Sequence, residues 1–112
     1  MKPLLAVYGL LRRGERLSGI LRESRLLETT TLPGFDLYDL GDYPAAVPGT
    51  GGITVEVYEL PGDSLLALLD EAEGVHEVPP LYRRERVGEW HLYLYARPLV
   101  GSPRIPSGDW LA

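Results

Sequence analysis

Two stretches hold residues that could move a proton on a small substrate. Leu69-Asp70-Glu71-Ala72-Glu73-Gly74-Val75 sets a carboxylate, Glu73, at the end of an apolar helical stripe. Val7-Tyr8-Gly9-Leu10-Leu11-Arg12-Arg13-Gly14 runs from an apolar strand into a loop bounded by glycines. Glu73 would sit at the negative end of a helix dipole, with Asp70 and Glu71 beside it. Both influences disfavour its charged form and raise its pKa. If its side chain is also partly buried, it becomes a general base and acid near neutral pH. Glycine lets the loop backbone turn and approach a ligand, and its free N–H groups would hold a carboxylate or an oxyanion. The plain alternatives are an acidic surface turn for Asp70, Glu71 and Glu73, and a simple strand-to-loop turn for Tyr8 to Leu11.

Other chemistry finds less support. Tyr82-Arg83-Arg84 opens a strand after Pro79-Pro80, so Tyr82 could reach a site from that edge. Its arginines read first as cross-strand ion-pair partners. His76 and His91 lack metal-ligand spacing, and there is no cysteine, so neither a metal site nor a disulfide nor a thiolate nucleophile is expected. No phosphate-binding loop, dinucleotide fingerprint or nucleophile elbow is present, and no serine has a histidine placed for a triad.

The bulk composition narrows the field further. A chain of 112 residues with 45% hydrophobic content fits one domain, residues 1–112, with a small core. The net charge of -5 argues against nucleic acid as a partner. Met1 to Leu11 is too short and interrupted for a membrane span or signal peptide, so a soluble, cytoplasmic protein is expected. Arginines 12, 13, 16, 22 and 25 make one segment locally basic. It reads as a solvated, ion-paired surface or as an anion-facing rim over a site.

These residues need elements to hold them. Pro3 to Tyr8 reads as a buried strand, and Leu17 to Leu21 as a helical turn or two. Strands follow at Arg25 to Thr31 and Phe35 to Leu40, separated by a Pro33-Gly34 turn. Gly41 to Gly52, rich in Pro and Gly, reads as loop with a short strand at Ala45 to Val47. Ile53 to Leu60 alternates, with Ile53, Val55 and Val57 on one face and Thr54, Glu56 and Tyr58 on the other. Asp63 to Glu73 is the clear helix: Asp63 as N-cap, a core stripe of Leu65, Leu68, Leu69 and Ala72, and Gly74 as the stop. Tyr82 to Val87 and Trp90 to Arg97 form a hairpin about Gly88-Glu89. Trp90, Leu92 and Leu94 face one way; His91, Tyr93 and Tyr95 face the other. The tail from Pro98 is extended. Several strands with one helix predict an α+β domain with a mixed, curved or barrel-like sheet.

The motifs, taken in order, resemble the gamma-glutamylcyclotransferase superfamily. Tyr8-Gly9-Leu10-Leu11-Arg12-Arg13-Gly14 is similar to its Y-G-S/T-L-x-R-G opening, and Leu69 to Val75 to its L-D-x-x-E-G segment. Tyr43-Pro44-Ala45, Glu56-Val57-Tyr58, Tyr82-x-Arg84 and Ser107-Gly108-Asp109-Trp110 resemble its Y-P-A, G-E-x-Y, Y-x-R and S-G-D-W segments. The chain departs from the pattern at Leu10, where the family has Ser or Thr, and at Val55, where it has Gly.

The resemblance implies a small mixed β-barrel flanked by one main helix and short helical turns. It implies cyclisation of a γ-glutamyl amine or amide to 5-oxoproline with release of the amine. Glu73 would be the acid/base, the Tyr8, Gly9, Leu10 and Leu11 backbone would bind the glutamyl part, and Tyr82 would lie near the pocket. The substrate's own α-amine attacks, so no cofactor is called for. The partner is then a small molecule, and the assembly is left as monomer or homodimer. Two other readings remain: a binding module with the same pocket and no turnover, suggested by Leu10 and Val55, and an interaction protein using the aromatic hairpin Trp90 to Tyr95.

Overall fold

The computed structural model describes all residues, Met1–Ala112. Its five strands are β1 (Leu4–Val7), β2 (Arg25–Asp39), β3 (Pro44–Glu59), β4 (Tyr82–Val87) and β5 (Trp90–Tyr95). The one α-helix is α1 (Asp63–Ala72), and a 3₁₀ turn spans Ser18–Leu21. The strands form one mixed sheet in the order β2-β3-β1-β5-β4, with β1 and β5 parallel and the other pairs antiparallel. The fold is α+β, as expected. The implied barrel is not formed: β2 and β4 are the two edges of the sheet, which does not close on itself. No helix is long and apolar enough to cross a membrane.

Alternation along the strands builds two apolar layers. Ala6, Ile53, Val55, Val57, Leu92 and Leu94 belong to one, which Ile105 and Trp110 of the tail help cover. Leu5, Val7, Tyr58 and Tyr93 face the other, where Leu66 and Leu69 of α1 and Leu21 of the 3₁₀ turn pack. Trp90 and Tyr95 pack against these two layers, so the hairpin aromatics are mostly core rather than a free surface.

Four local readings need correction. Residues 44–52 are not loop, because β3 runs from Pro44 to Glu59 without a break. Asp36 explains two of the glycines there, Gly49 and Gly51. Its carboxylate accepts the Gly51 N–H at 2.9 Å, and a β-carbon at Gly49 or Gly51 would strike it. Pro33-Gly34 does not end a strand either. Gly34 takes a φ of 92° within a register irregularity, and β2 continues beyond it. At the start of α1, Gly62 occupies the N-cap position and no side chain caps the helix. The apolar stripe is also rotated: Leu66 and Leu69 are buried, whereas Leu68 is 56% exposed and Ala72 is on the surface.

Candidate functional site

The end of α1 sets Glu73. Gly74 N–H donates to the Glu71 carbonyl at 3.1 Å and Val75 N–H to the Asp70 carbonyl at 3.0 Å, with Gly74 at a φ of 66°. These bonds make a Schellman stop. A β-carbon at Gly74 would also meet Leu81, so the chain returns tightly under the helix end.

The three carboxylates near this stop have separate fates. Glu71 is exposed. Asp70 is buried and turned to the hairpin, where it accepts from Arg84 Nε at 2.9 Å, Arg84 Nη2 at 3.2 Å and the Tyr93 hydroxyl at 2.7 Å. Glu73 is half-buried in the wall of a cavity of about 220 Å³. Burial raises its carboxyl from an ordinary value of 4.5 to about 7. The sequence reading attributed a raised pKa to the dipole and neighbouring charges as well; loss of solvent is the cause seen here.

The cavity collects the residues that the sequence singled out. Tyr8, Gly9, Leu10, Leu11, Glu73 and Tyr82 all line it. The loop follows from the end of β1 at Val7, and the N–H groups of Gly9, Leu10 and Leu11 make no hydrogen bond outside the strand ladders. Gly9 is needed for contact, since a β-carbon there would stand 2.6 Å from Pro44 Cγ. Val55 lies elsewhere, fully buried in the layer facing away from α1. The departure at Leu10 touches the cavity; the one at Val55 does not.

Three tyrosine hydroxyls are spent on the frame. Tyr8 donates to the Tyr93 carbonyl at 2.6 Å, Tyr82 to the Pro44 carbonyl at 2.6 Å, and Tyr93 to Asp70. Burial holds all three well above the usual phenol range, and the Glu73 charge pushes the same way. Glu73 is the one carboxylate in the wall, and Arg16 the one cation. Arg16 gives the basic segment a foothold at the site, whereas Arg12 is buried elsewhere.

Arg12 ties the loop to the rest of the chain. Its Nε donates to Glu56 Oε2 at 2.9 Å and its Nη1 to Asp109 Oδ1 at 2.7 Å. Glu56 Oε1 also accepts from Arg13 N–H at 2.8 Å and the Tyr58 hydroxyl at 3.0 Å. Trp110 Nε1 donates to Glu15 at 3.1 Å, and Thr54 N–H to the Gly108 carbonyl at 2.8 Å. The tail thus straps the loop to β3.

Sequence reasoning left Pro44, Tyr93 and Arg16 out of the site. A signal existed for two of them: Pro44 stands in a motif that carries the resemblance, and Arg16 lies in the basic segment. Tyr93 showed only as an alternating strand residue.

Comparisons with known proteins identify the family and the fold. The model of the gamma-glutamyl cyclotransferase, AIG2-like family matches residues 5–112. The gamma-glutamylcyclotransferase family protein YtfP of Escherichia coli K12 is 36% identical over 109 residues, covering 94% of this chain and 93% of that protein. Its solution structure superposes with a TM-score of 0.78 over 96% of both chains. The crystal structure of the uncharacterized protein PH0828 from Pyrococcus horikoshii superposes with a TM-score of 0.82 at 31% identity, over 96% of this chain and 89% of that one. The chain therefore belongs to the gamma-glutamyl cyclotransferase, AIG2-like family.

Proposed function

We propose that this protein cyclises a γ-glutamyl amine or amide to 5-oxoproline and releases the amine, with Glu73 as the proton carrier. One observation carries the reading: Glu73 is a half-buried carboxylate, titrating near 7, in the wall of a cavity beside a loop with unengaged amides. A group that titrates near the working pH can both take and return a proton.

The chemistry balances without a cofactor. The substrate's α-amine nitrogen attacks its own γ-carbonyl carbon, and the new C–N bond closes a five-membered ring. Glu73 takes a proton from that nitrogen as negative charge gathers on the carbonyl oxygen. The N–H groups of Gly9, Leu10 and Leu11 stabilise that oxygen or hold the α-carboxylate. Collapse of the tetrahedral centre breaks the bond to the leaving nitrogen, and Glu73 returns the proton to it. Holding the glutamyl chain folded in the cavity supplies a large share of the rate.

The test is 5-oxoproline release from a panel of γ-glutamyl amines and dipeptides. Release supports the reading. Thermal stabilisation by panel members or 5-oxoproline, with no release, would replace it by the binding-module reading that Leu10 suggests.

A further inference from the structure

We propose that Asp70, Arg84 and Tyr93 form a charge-compensated clamp that positions Glu73. This inference rests on the reading of Glu73 as proton carrier. Asp70 lies three residues before Glu73 on α1, one helical turn away. It is 8% exposed, and a carboxylate so buried needs partners. Arg84 on β4 grips both its oxygens, and Tyr93 on β5 donates to one of them. The last turn of α1 is thereby fastened to both strands of the hairpin. Tyr93 extends the link into the site, since it lines the cavity and its carbonyl accepts the Tyr8 hydroxyl.

The clamp has an electrostatic side as well as a mechanical one. A bare Asp70 carboxylate one turn from Glu73 would oppose ionisation of Glu73. Arg84 cancels that charge at the source. Its Nη1 also bonds His91 Nδ1 at 3.0 Å, and burial together with Arg84 and Arg86 keeps His91 below its ordinary pKa. Near neutral pH that ring then serves as a neutral acceptor, and Arg84 keeps its charge for Asp70. The other groups around Glu73 are Tyr8 and Arg16 from the first loop, Tyr43, Tyr82 on β4, Tyr93 on β5 and Glu71 on its own helix. Among them Arg16 is exposed, and the Tyr8, Tyr82 and Tyr93 hydroxyls stay protonated. The Asp70–Arg84 pair is therefore the charge balance closest along the chain to Glu73.

The test follows the Glu73 carboxyl by NMR titration in the full-length protein, in Arg84→Gln, Asp70→Asn and the double variant. Arg84→Gln leaves Asp70 bare and should raise the Glu73 midpoint by roughly one pH unit. Asp70→Asn leaves Arg84 unpaired and should lower it by a similar amount. The double variant, with neither charge, should return close to wild type and should fold even where Arg84→Gln does not. Simple loosening would admit water and lower the midpoint in every variant, the double variant included. A common fall, or no movement in any variant, would overturn the proposal. The titration needs no turnover, so a wild type that releases no 5-oxoproline would refute the enzyme reading separately.

Discussion

Gly9 and Pro44 touch so closely that a β-carbon on Gly9 would stand 2.6 Å from the proline Cγ and 2.9 Å from its Cδ. Pro44 opens β3, and its carbonyl takes the Tyr82 hydroxyl. One glycine thus lets the cavity loop, Tyr8 to Leu11, lie against the strand that Tyr82 holds. Gly9→Ala should cost about 1–3 kcal/mol through overpacking. It should also raise KM, because the loop amides must move. A melting curve with steady-state kinetics checks both.

Tyr82 is held by its hydroxyl and its ring. Tyr82→Phe keeps the ring against Tyr43 and Tyr95 but leaves the Pro44 carbonyl without its donor. The cost should be about 1–2 kcal/mol, as for a buried acceptor left unpaired. Denaturant unfolding would show it as a lower midpoint at unchanged slope.

The strap from the tail predicts a kinetic split. Burial pushes the Asp109 carboxyl up, but the Leu111 N–H and the Arg12 guanidinium outweigh it and hold it below its usual range. Asp109→Asn should weaken the hold on Arg12, the residue after Leu11, by about 1 kcal/mol, or about fivefold in KM. kcat should change little, since Glu73 is untouched. Initial rates over a range of substrate concentrations separate the two constants.

Glu73 should make the fold less stable as pH rises. Its carboxyl titrates near 7 in the folded chain against an ordinary value of 4.5, so between these pH values the folded state holds the extra proton. Unfolding free energy therefore falls with pH across that window, the sign expected for a carboxyl whose folded pKa is raised. Glu73→Gln should match wild type near pH 4 and exceed it at pH 8 by about 2 kcal/mol, after allowance for partial exposure. Melting temperatures of both proteins across pH 4 to 8 check the sign.

Local patterns carried much of the fold. A short apolar run marked β1, and the Gly88-Glu89 turn marked the β4–β5 hairpin. Period-two alternation marked β5 and the second half of β3, and Gly74 with the leucines before it marked the end of α1. What was not legible depends on partners distant in sequence. Gly49 and Gly51 read as loop because their reason, Asp36 folded across the strand, lies in another element, as does Thr31, the residue that crowds Gly52. Leu68 read as core because helical spacing alone does not fix which of several leucines meets the sheet. Asp70 read as one more surface acid because Arg84 and Tyr93 reach it only through the fold. The same partners explain why burial, and not a cluster of acids, raises Glu73. Glu73, the Tyr8 loop and Tyr82 came to notice through a helix end, a glycine turn and a strand edge, then through motif order, and the fold brings them round one cavity.

Whether Glu73 carries the proton is read most directly from 5-oxoproline release by wild type and Glu73→Gln at pH 7, on the best γ-glutamyl compound of a panel. Glutamine keeps the shape and removes the titrating group. The expected result is a loss on the order of 10²–10⁴-fold in kcat with the fold intact. A folded Glu73→Gln protein that releases 5-oxoproline within a few-fold of wild type would contradict it.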